Sequence, residues 1–277
     1  MQNSHKRAKR GEVNGWSESA ARNNTRWLRS VNVGYLDGIG WAFTVTLRDC
    51  PPTSDDWHRL RRNLEHRLRR YGMIRLHWVT EWQRRGVPHL HGIVYFPDWE
   101  TLPDDYIPPK GVRIVSNMDF VLKNAWIDVA KEYGAGFNGQ NVKRVDNIPG
   151  WFAYLSKHAS RGAKHYQRSS ANVPEGWRKT GRVWGHCGDW VTDDPVELGV
   201  TNECFWALRR LVRSWRIADA RADHPDVRAS RIRFARGMLR CGDRKLGSVR
   251  GVSEWISIDN VLLLIDFLRS QGHEVDC

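Results

Sequence analysis

Ile74-Arg75-Leu76-His77-Trp78-Val79-Thr80-Glu81-Trp82 and Pro88-His89-Leu90-His91-Gly92-Ile93-Val94-Tyr95-Phe96 are the two runs that decide the fold. Both are rich in β-branched and aromatic residues, and Arg84-Arg85-Gly86 between them has the composition of a hairpin turn. The runs are expected to pair antiparallel. With the turn centred near Arg85, Glu81 falls opposite His89 and Val79 opposite His91, because paired positions keep a constant index sum and share a face. Alternation then puts Glu81, His89 and His91 on one face and Leu76, Trp78, Trp82, Leu90, Val94 and Phe96 on the other. A His-x-His pair by itself is more often a packing or surface feature. The carboxylate opposite it points instead to a metal centre, since two neutral imidazoles and a carboxylate suit Mg²⁺ or Mn²⁺, accept other divalent ions and leave positions for substrate.

The chain has 277 residues and a formal net charge of +13, enough for one good core plus an appendage and a balance that favours a polyanionic partner. Nucleic acid is the natural candidate, because Lys and Arg gain affinity by releasing counterions condensed on the phosphate backbone. Fifteen tryptophans among those arginines offer faces for unpaired bases, although most are expected in the core. The five cysteines, Cys50, Cys187, Cys204, Cys241 and Cys277, are scattered without Cys-x-x-Cys spacing, which argues for a reducing compartment and against structural zinc. No stretch approaches the roughly twenty apolar residues of a membrane span, and the N-terminus lacks the apolar region of a signal peptide. A cytoplasmic setting is expected.

Residues 1–30 carry Lys6, Arg7, Lys9 and Arg10 among Asn, Ser and Gly, the composition of a flexible basic arm. Trp41-Ala42-Phe43-Thr44-Val45-Thr46-Leu47 reads as a first strand. A helix follows, with Ser54 as its cap, Asp55 and Asp56 at its positive end, an apolar stripe of Trp57, Leu60, Leu64, Leu68 and Tyr71, and Gly72 at its stop. After the hairpin come a Pro-rich connection and a helix beginning near Phe120.

A second constellation lies in Ile148-Pro149-Gly150-Trp151-Phe152-Ala153-Tyr154-Leu155-Ser156-Lys157-His158. The proline starts a short helix, and three- and four-residue spacing sets Tyr154 beside Lys157 and His158. Taken alone, a Tyr at a core edge with a solvated Lys is the commoner meaning of such a pattern. Together with the hairpin it is more than that.

Three motifs in this order resemble those of the HUH endonucleases, in particular the rolling-circle replication initiators of single-stranded DNA phages and plasmids. Phe43-Thr44-Val45-Thr46-Leu47 resembles the family's first motif, Pro88-His89-Leu90-His91-Gly92 its metal-binding second, and Tyr154-Leu155-Ser156-Lys157 its nucleophile motif. Glu81 is placed like the family's third ligand, and Gly181-Arg182-Val183-Trp184-Gly185 is similar to a segment that follows the tyrosine helix in many phage initiators. The resemblance implies an α+β fold with a ferredoxin-like, five-stranded antiparallel sheet flanked by helices. It implies a catalytic domain over residues 31–195 that nicks single-stranded origin DNA. Tyr154 would attack to leave a 5′-phosphotyrosine and a 3′-hydroxyl for a polymerase, Lys157 would stabilise developing charge, and Glu81, His89 and His91 would hold Mg²⁺ or Mn²⁺. Attack at neutral pH needs help from the metal, Lys157 or a base such as His158, because free tyrosine has a pKa near 10. Arg84, Arg85, Trp151, Arg182 and Trp184 are the expected DNA contacts.

His158 stands where members with two catalytic tyrosines carry the second, so a single-tyrosine enzyme is expected, with Tyr166 a poor candidate for another nucleophile. No Gly-x-x-x-x-Gly-Lys-Ser/Thr loop occurs, which implies that a host helicase unwinds the duplex. Residues 196–277 are expected to be helical, with Phe205, Leu208, Leu211, Trp215 and Ala218 opposite Arg209, Arg213 and Arg216, and a second helix from Ile258 to Arg269. This region would bind duplex DNA, form a homo-oligomer, recruit the helicase or pack on the catalytic domain. A transposase or relaxase of the same superfamily would share the chemistry. A noncatalytic nucleic-acid-binding protein would use the basic residues and tryptophans alone.

Overall fold

The computed structural model describes residues 14–100, 107–115, 117–145, 150–151, 154, 158, 163, 165–177, 179–194, 199–222, 225, 228–229, 232–233, 236 and 258–276. The chain divides into two compact units, Met1–Asp193 and Asp194–Cys277.

The first unit is an α+β fold built on a five-stranded antiparallel sheet of order β4-β1-β3-β2-β5. Its strands are β1 (Ile39–Thr46), β2 (Arg75–Trp82), β3 (Pro88–Phe96), β4 (Asn141–Val145) and β5 (Trp184–Gly188). β2 and β3 form the expected hairpin in the expected register, with Glu81 opposite His89 and Val79 opposite His91. Its turn closes through Gly86 N–H to the Gln83 carbonyl at 2.9 Å, and Gly86 takes φ +77°, a left-handed conformation that glycine adopts without a Cβ penalty.

One sheet face carries the main core. Leu76, Trp78, Trp82, Leu90, Val94 and Phe96 pack there with Phe43, Val45, Trp57, Leu60, Leu64, Leu68 and Trp126, the last five from two covering helices. These helices are α2 (Ser54–Arg69) and α3 (Met118–Ala130), preceded in the chain by α1 (Glu18–Ser30). The cap of α2 is Thr53 rather than the expected Ser54. Thr53 holds extended backbone while its hydroxyl accepts the Asp56 N–H at 3.2 Å, and Ser54 already sits buried in the first turn.

The opposite face is also covered, by a second core of Leu28, Val31, Ile93, Tyr95, Val145, Trp151 and Tyr154. Here the structure departs from the composition-based expectation of a flexible arm through residue 30. Residues 1–13 lie outside the described residues, but α1 is a helix capped by Ser17, and it buries Ala21, Asn24 and Leu28 on one side. With both faces buried, every residue of β2 and β3 is buried, including the polar ones.

The second unit holds α4 (Asn202–Ala222), α5 (Ile258–Ser270) and a two-stranded pair of β6 (Gly199–Val200) with β7 (Val275–Asp276). Its core comprises Cys204, Leu264, Ile265, Leu268 and Val275, flanked by Leu208, Leu211 and Val261. The expected α4 pattern is shifted. Trp215 is exposed, while Arg209 is buried with its guanidinium 5.2 Å from the Trp206 ring, a cation-π contact that lets an arginine leave water. Among the described residues no helix is long and apolar enough to cross a membrane.

Candidate functional site

Odd-numbered residues of β2 and β3 share the face opposite the main core. At the hairpin end of that face, ligand atoms of Glu81, His89 and His91 lie within 4.8 Å of one another, and all three residues are buried. His91 Nε2 is 3.3 Å from Glu81 Oε2, while its Nδ1 is hydrogen-bonded to Thr44 Oγ1 at 2.7 Å. Thr44 is the β1 residue directly across from His91, so the sheet register itself sets that contact. The other Glu81 oxygen, Oε1, accepts from Arg168 Nε at 2.9 Å, and both side chains are fully buried. Arg168 in turn stacks 3.9 Å over the Trp16 ring and donates to the His158 carbonyl at 3.3 Å. Its neighbour Gln167 brings Nε2 to 3.3 Å from His89 Nε2. A single short turn, Tyr166–Arg168, thus supports two members of the triad.

This donor set fits a divalent ion. Two members have an outer partner, Thr44 for His91 and Arg168 for Glu81, an arrangement that fixes ring orientation and carboxylate direction before a metal arrives, while the Gln167 amide nitrogen lies against His89 Nε2. Nitrogen and oxygen donors without thiolate suit a divalent cation.

Beside the triad stands Tyr154, in a buried helical position with His158 one turn on. The His158 ring lies between the two features, 4.6 Å from the Tyr154 ring and 5.4 Å from that of His91. The phenol oxygen is hydrogen-bonded to His77 Nδ1 at 2.7 Å, and His77 Nε2 to Asn24 Oδ1 of α1 at 2.8 Å. Trp27 stacks on His77 at 4.9 Å and on His186 of β5 at 4.1 Å. Burial, with the Glu81 charge nearby, pushes the Tyr154 phenol well above its ordinary range. Burial, reinforced by His186 and Arg168, holds the His77 imidazole well below its own.

The remaining expected residues are distributed unevenly. Lys157 lies outside the described residues. Trp151 is not an open stacking surface: it is buried in the second core, 5.8 Å from the Trp190 ring. Arg84 is exposed, 5.3 Å over the Tyr166 ring. Arg85 binds the carbonyls of Leu47 and Arg48 and also Gln83, so it pins the hairpin to the end of β1. Arg182 is exposed, and Trp184 is half-buried on β5, 6.4 Å from the Trp27 ring.

Sequence reasoning missed Arg168, Gln167, Asn24 and the part played by His77. Only His77 carried a signal, its odd parity on the strand that bears Glu81.

Comparison with known proteins places the chain among replication proteins. The chain is 44% identical over 282 residues to a protein named as a replication protein in Xylella fastidiosa strain 9a5c, covering 99% of this chain and 93% of that one. It is 45% identical over 266 residues to a second so named from strain Temecula1, covering 93% of this chain and 94% of that relative. It is 43% identical over 269 residues to the replication-associated protein of Pseudomonas phage Pf3, covering 97% of this chain and 90% of the phage protein. Residues 40–163 match the model of the replication-associated protein ORF2 family. The chain belongs to that family. The matched segment spans Thr44, His77, Glu81, His89, His91 and Tyr154 of this replication-associated protein and stops short of the turn that carries Gln167 and Arg168. No solved structure matches the chain.

Proposed function

We propose that this replication-associated protein initiates rolling-circle replication by nicking single-stranded origin DNA, with Tyr154 as nucleophile and Glu81, His89 and His91 as metal ligands. One observation carries the reading: the buried triad and the buried tyrosine converge on one sheet face, with the His158 ring between them. A bound Mg²⁺ or Mn²⁺ would supply Lewis-acid polarisation of the scissile phosphate.

The chain's own residues do the rest. The Tyr154 oxygen attacks phosphorus in line, a phenol–phosphorus bond forms, and the 3′-oxygen leaves as the hydroxyl a polymerase extends. Reversal of the attack rejoins the strand. Lys157, three residues after Tyr154, is assigned to the charge that develops on the phosphate. The exposed Arg84 and Arg182 and the half-buried Trp184 are assigned to DNA, consistent with the net charge of +13. Host helicase and polymerase act on the product.

The test is incubation with Mn²⁺ and single-stranded oligonucleotides tiled across the chain's own replicon, followed by a denaturing gel. A covalent protein–DNA band that EDTA abolishes supports the reading. Tight binding without such a band on any tile refutes it and leaves a noncatalytic nucleic-acid-binding protein.

A further inference from the structure

Resting on the nicking reading, we infer that His77 is the general base for Tyr154 and that Asn24 is the positioning residue that selects its tautomer. The hydrogen-bond chain Asn24–His77–Tyr154 crosses three separate elements, α1, β2 and the tyrosine helix, and every side chain in it is buried. An amide oxygen accepts and cannot donate, so Asn24 Oδ1 at 2.8 Å requires the His77 proton to sit on Nε2. That leaves the Nδ1 lone pair facing the phenol at 2.7 Å, within the distance at which a general base takes a proton. The phenol donates and the imidazole accepts. Trp27, nearly parallel to the imidazole at 14°, and Tyr154, nearly perpendicular at 86°, hold the ring in that orientation. The arrangement repeats the logic of nucleophile, base and orienting group known from acyl transfer, with a phenol as nucleophile.

The proton balance is complete. As the phenol–phosphorus bond forms, the phenolic proton passes to His77 Nδ1. The phosphorus–3′-oxygen bond breaks, the departing alkoxide takes a proton from water, and the imidazolium keeps the other. On rejoining, the 3′-oxygen attacks phosphorus as its hydroxyl proton passes to hydroxide or water, the phenol–phosphorus bond breaks, and His77 returns its proton to the leaving phenolate. In the resting protein the proton stays on Tyr154, since burial disfavours both phenolate and imidazolium. Among the described residues, the titratable and charged groups facing His77 are His186 from β5, Tyr154 and Arg168, while α1 contributes the neutral Asn24 and Trp27.

Two measurements test this. The first is the pH profile of adduct formation for wild type, His77→Asn and Tyr154→Phe with the tiled oligonucleotides and Mn²⁺. Asparagine still accepts the phenolic hydrogen bond but cannot take the proton. The expected loss at neutral pH is about 10²- to 10⁴-fold, with unchanged DNA binding and a rate that climbs with pH as hydroxide replaces the base. A His77→Asn rate and profile matching wild type would overturn the inference while leaving the nicking reading intact. No adduct with wild type would overturn both. The second measurement needs no variant: ¹⁵N NMR of imidazole-labelled wild type should show His77 as the Nε2–H tautomer. An Nδ1–H signal would refute the base assignment even if His77→Asn failed to fold.

Discussion

Arg168→Met tests whether the carboxylate of the triad depends on a buried counter-ion. Arg168 and Glu81 are fully buried and 2.9 Å apart, so the variant removes the charge while keeping most of the bulk over Trp16. Glu81 would then be an ionised carboxylate in the interior without its cation, a loss worth about 3–5 kcal/mol. At roughly 2–4 °C per kcal/mol for a unit of this size, Tm in EDTA should fall by about 6–20 °C. Mn²⁺ restores the missing positive charge at the same carboxylate, so saturating Mn²⁺ should raise the variant's Tm by more than it raises that of wild type. Adding Glu81→Gln to Arg168→Met removes both charges and should recover most of the loss, whereas Glu81→Gln alone strands the guanidinium. Differential scanning fluorimetry with and without Mn²⁺ gives all of these values. A fall equivalent to less than about 1 kcal/mol, or an equal Mn²⁺ gain in both proteins, would show that the pair does not sustain the carboxylate.

Four further outcomes are expected. Tyr154→Phe removes only an oxygen and should abolish the covalent band while leaving single-stranded DNA affinity within about two-fold, as read by fluorescence anisotropy. His91→Ala deletes a nitrogen donor, and calorimetric titration should show Mn²⁺ binding lost together with the adduct. In Gly92→Ala the new Cβ would collide with the Phe43 ring and lie 2.8 Å from the His77 carbonyl, so denaturant unfolding should show a loss of about 1–3 kcal/mol. His58 and His77 are buried with lowered pKa values, mainly through desolvation, so the unfolded chain binds protons that the folded one refuses. Stability is therefore complete above the free imidazole value of about 6.5 and declines as pH falls below it, and a Tm that stayed flat from about pH 8 to about pH 5 would contradict this.

The hairpin was legible because its information is local. Period-two alternation and a short turn fix register, and register alone brought Glu81, His89 and His91 together. Helix α2 was equally readable from its stripe, with the cap misplaced by one residue because Thr53 and Ser54 are both good capping types. Helix α1 was not readable as a helix. Its buried face runs Ala21, Asn24, Leu28, and a polar residue in the middle of the stripe looks like solvent-exposed sequence until its partner is known.

By itself, the sequence determined the sheet face and the gathering of Glu81, His89 and His91, since both rest on spacings of a few residues that a strand converts directly into geometry. Only the tertiary structure decided what surrounds them. Asn24 meets His77 across 53 positions, His77 meets Tyr154 across 77, and Arg168 meets Glu81 across 87. Such pairings follow from the packing of α1, the tyrosine helix and the Tyr166–Arg168 turn onto one buried face, where an ionised or polar group must find a partner or leave. No local pattern records which partner that will be.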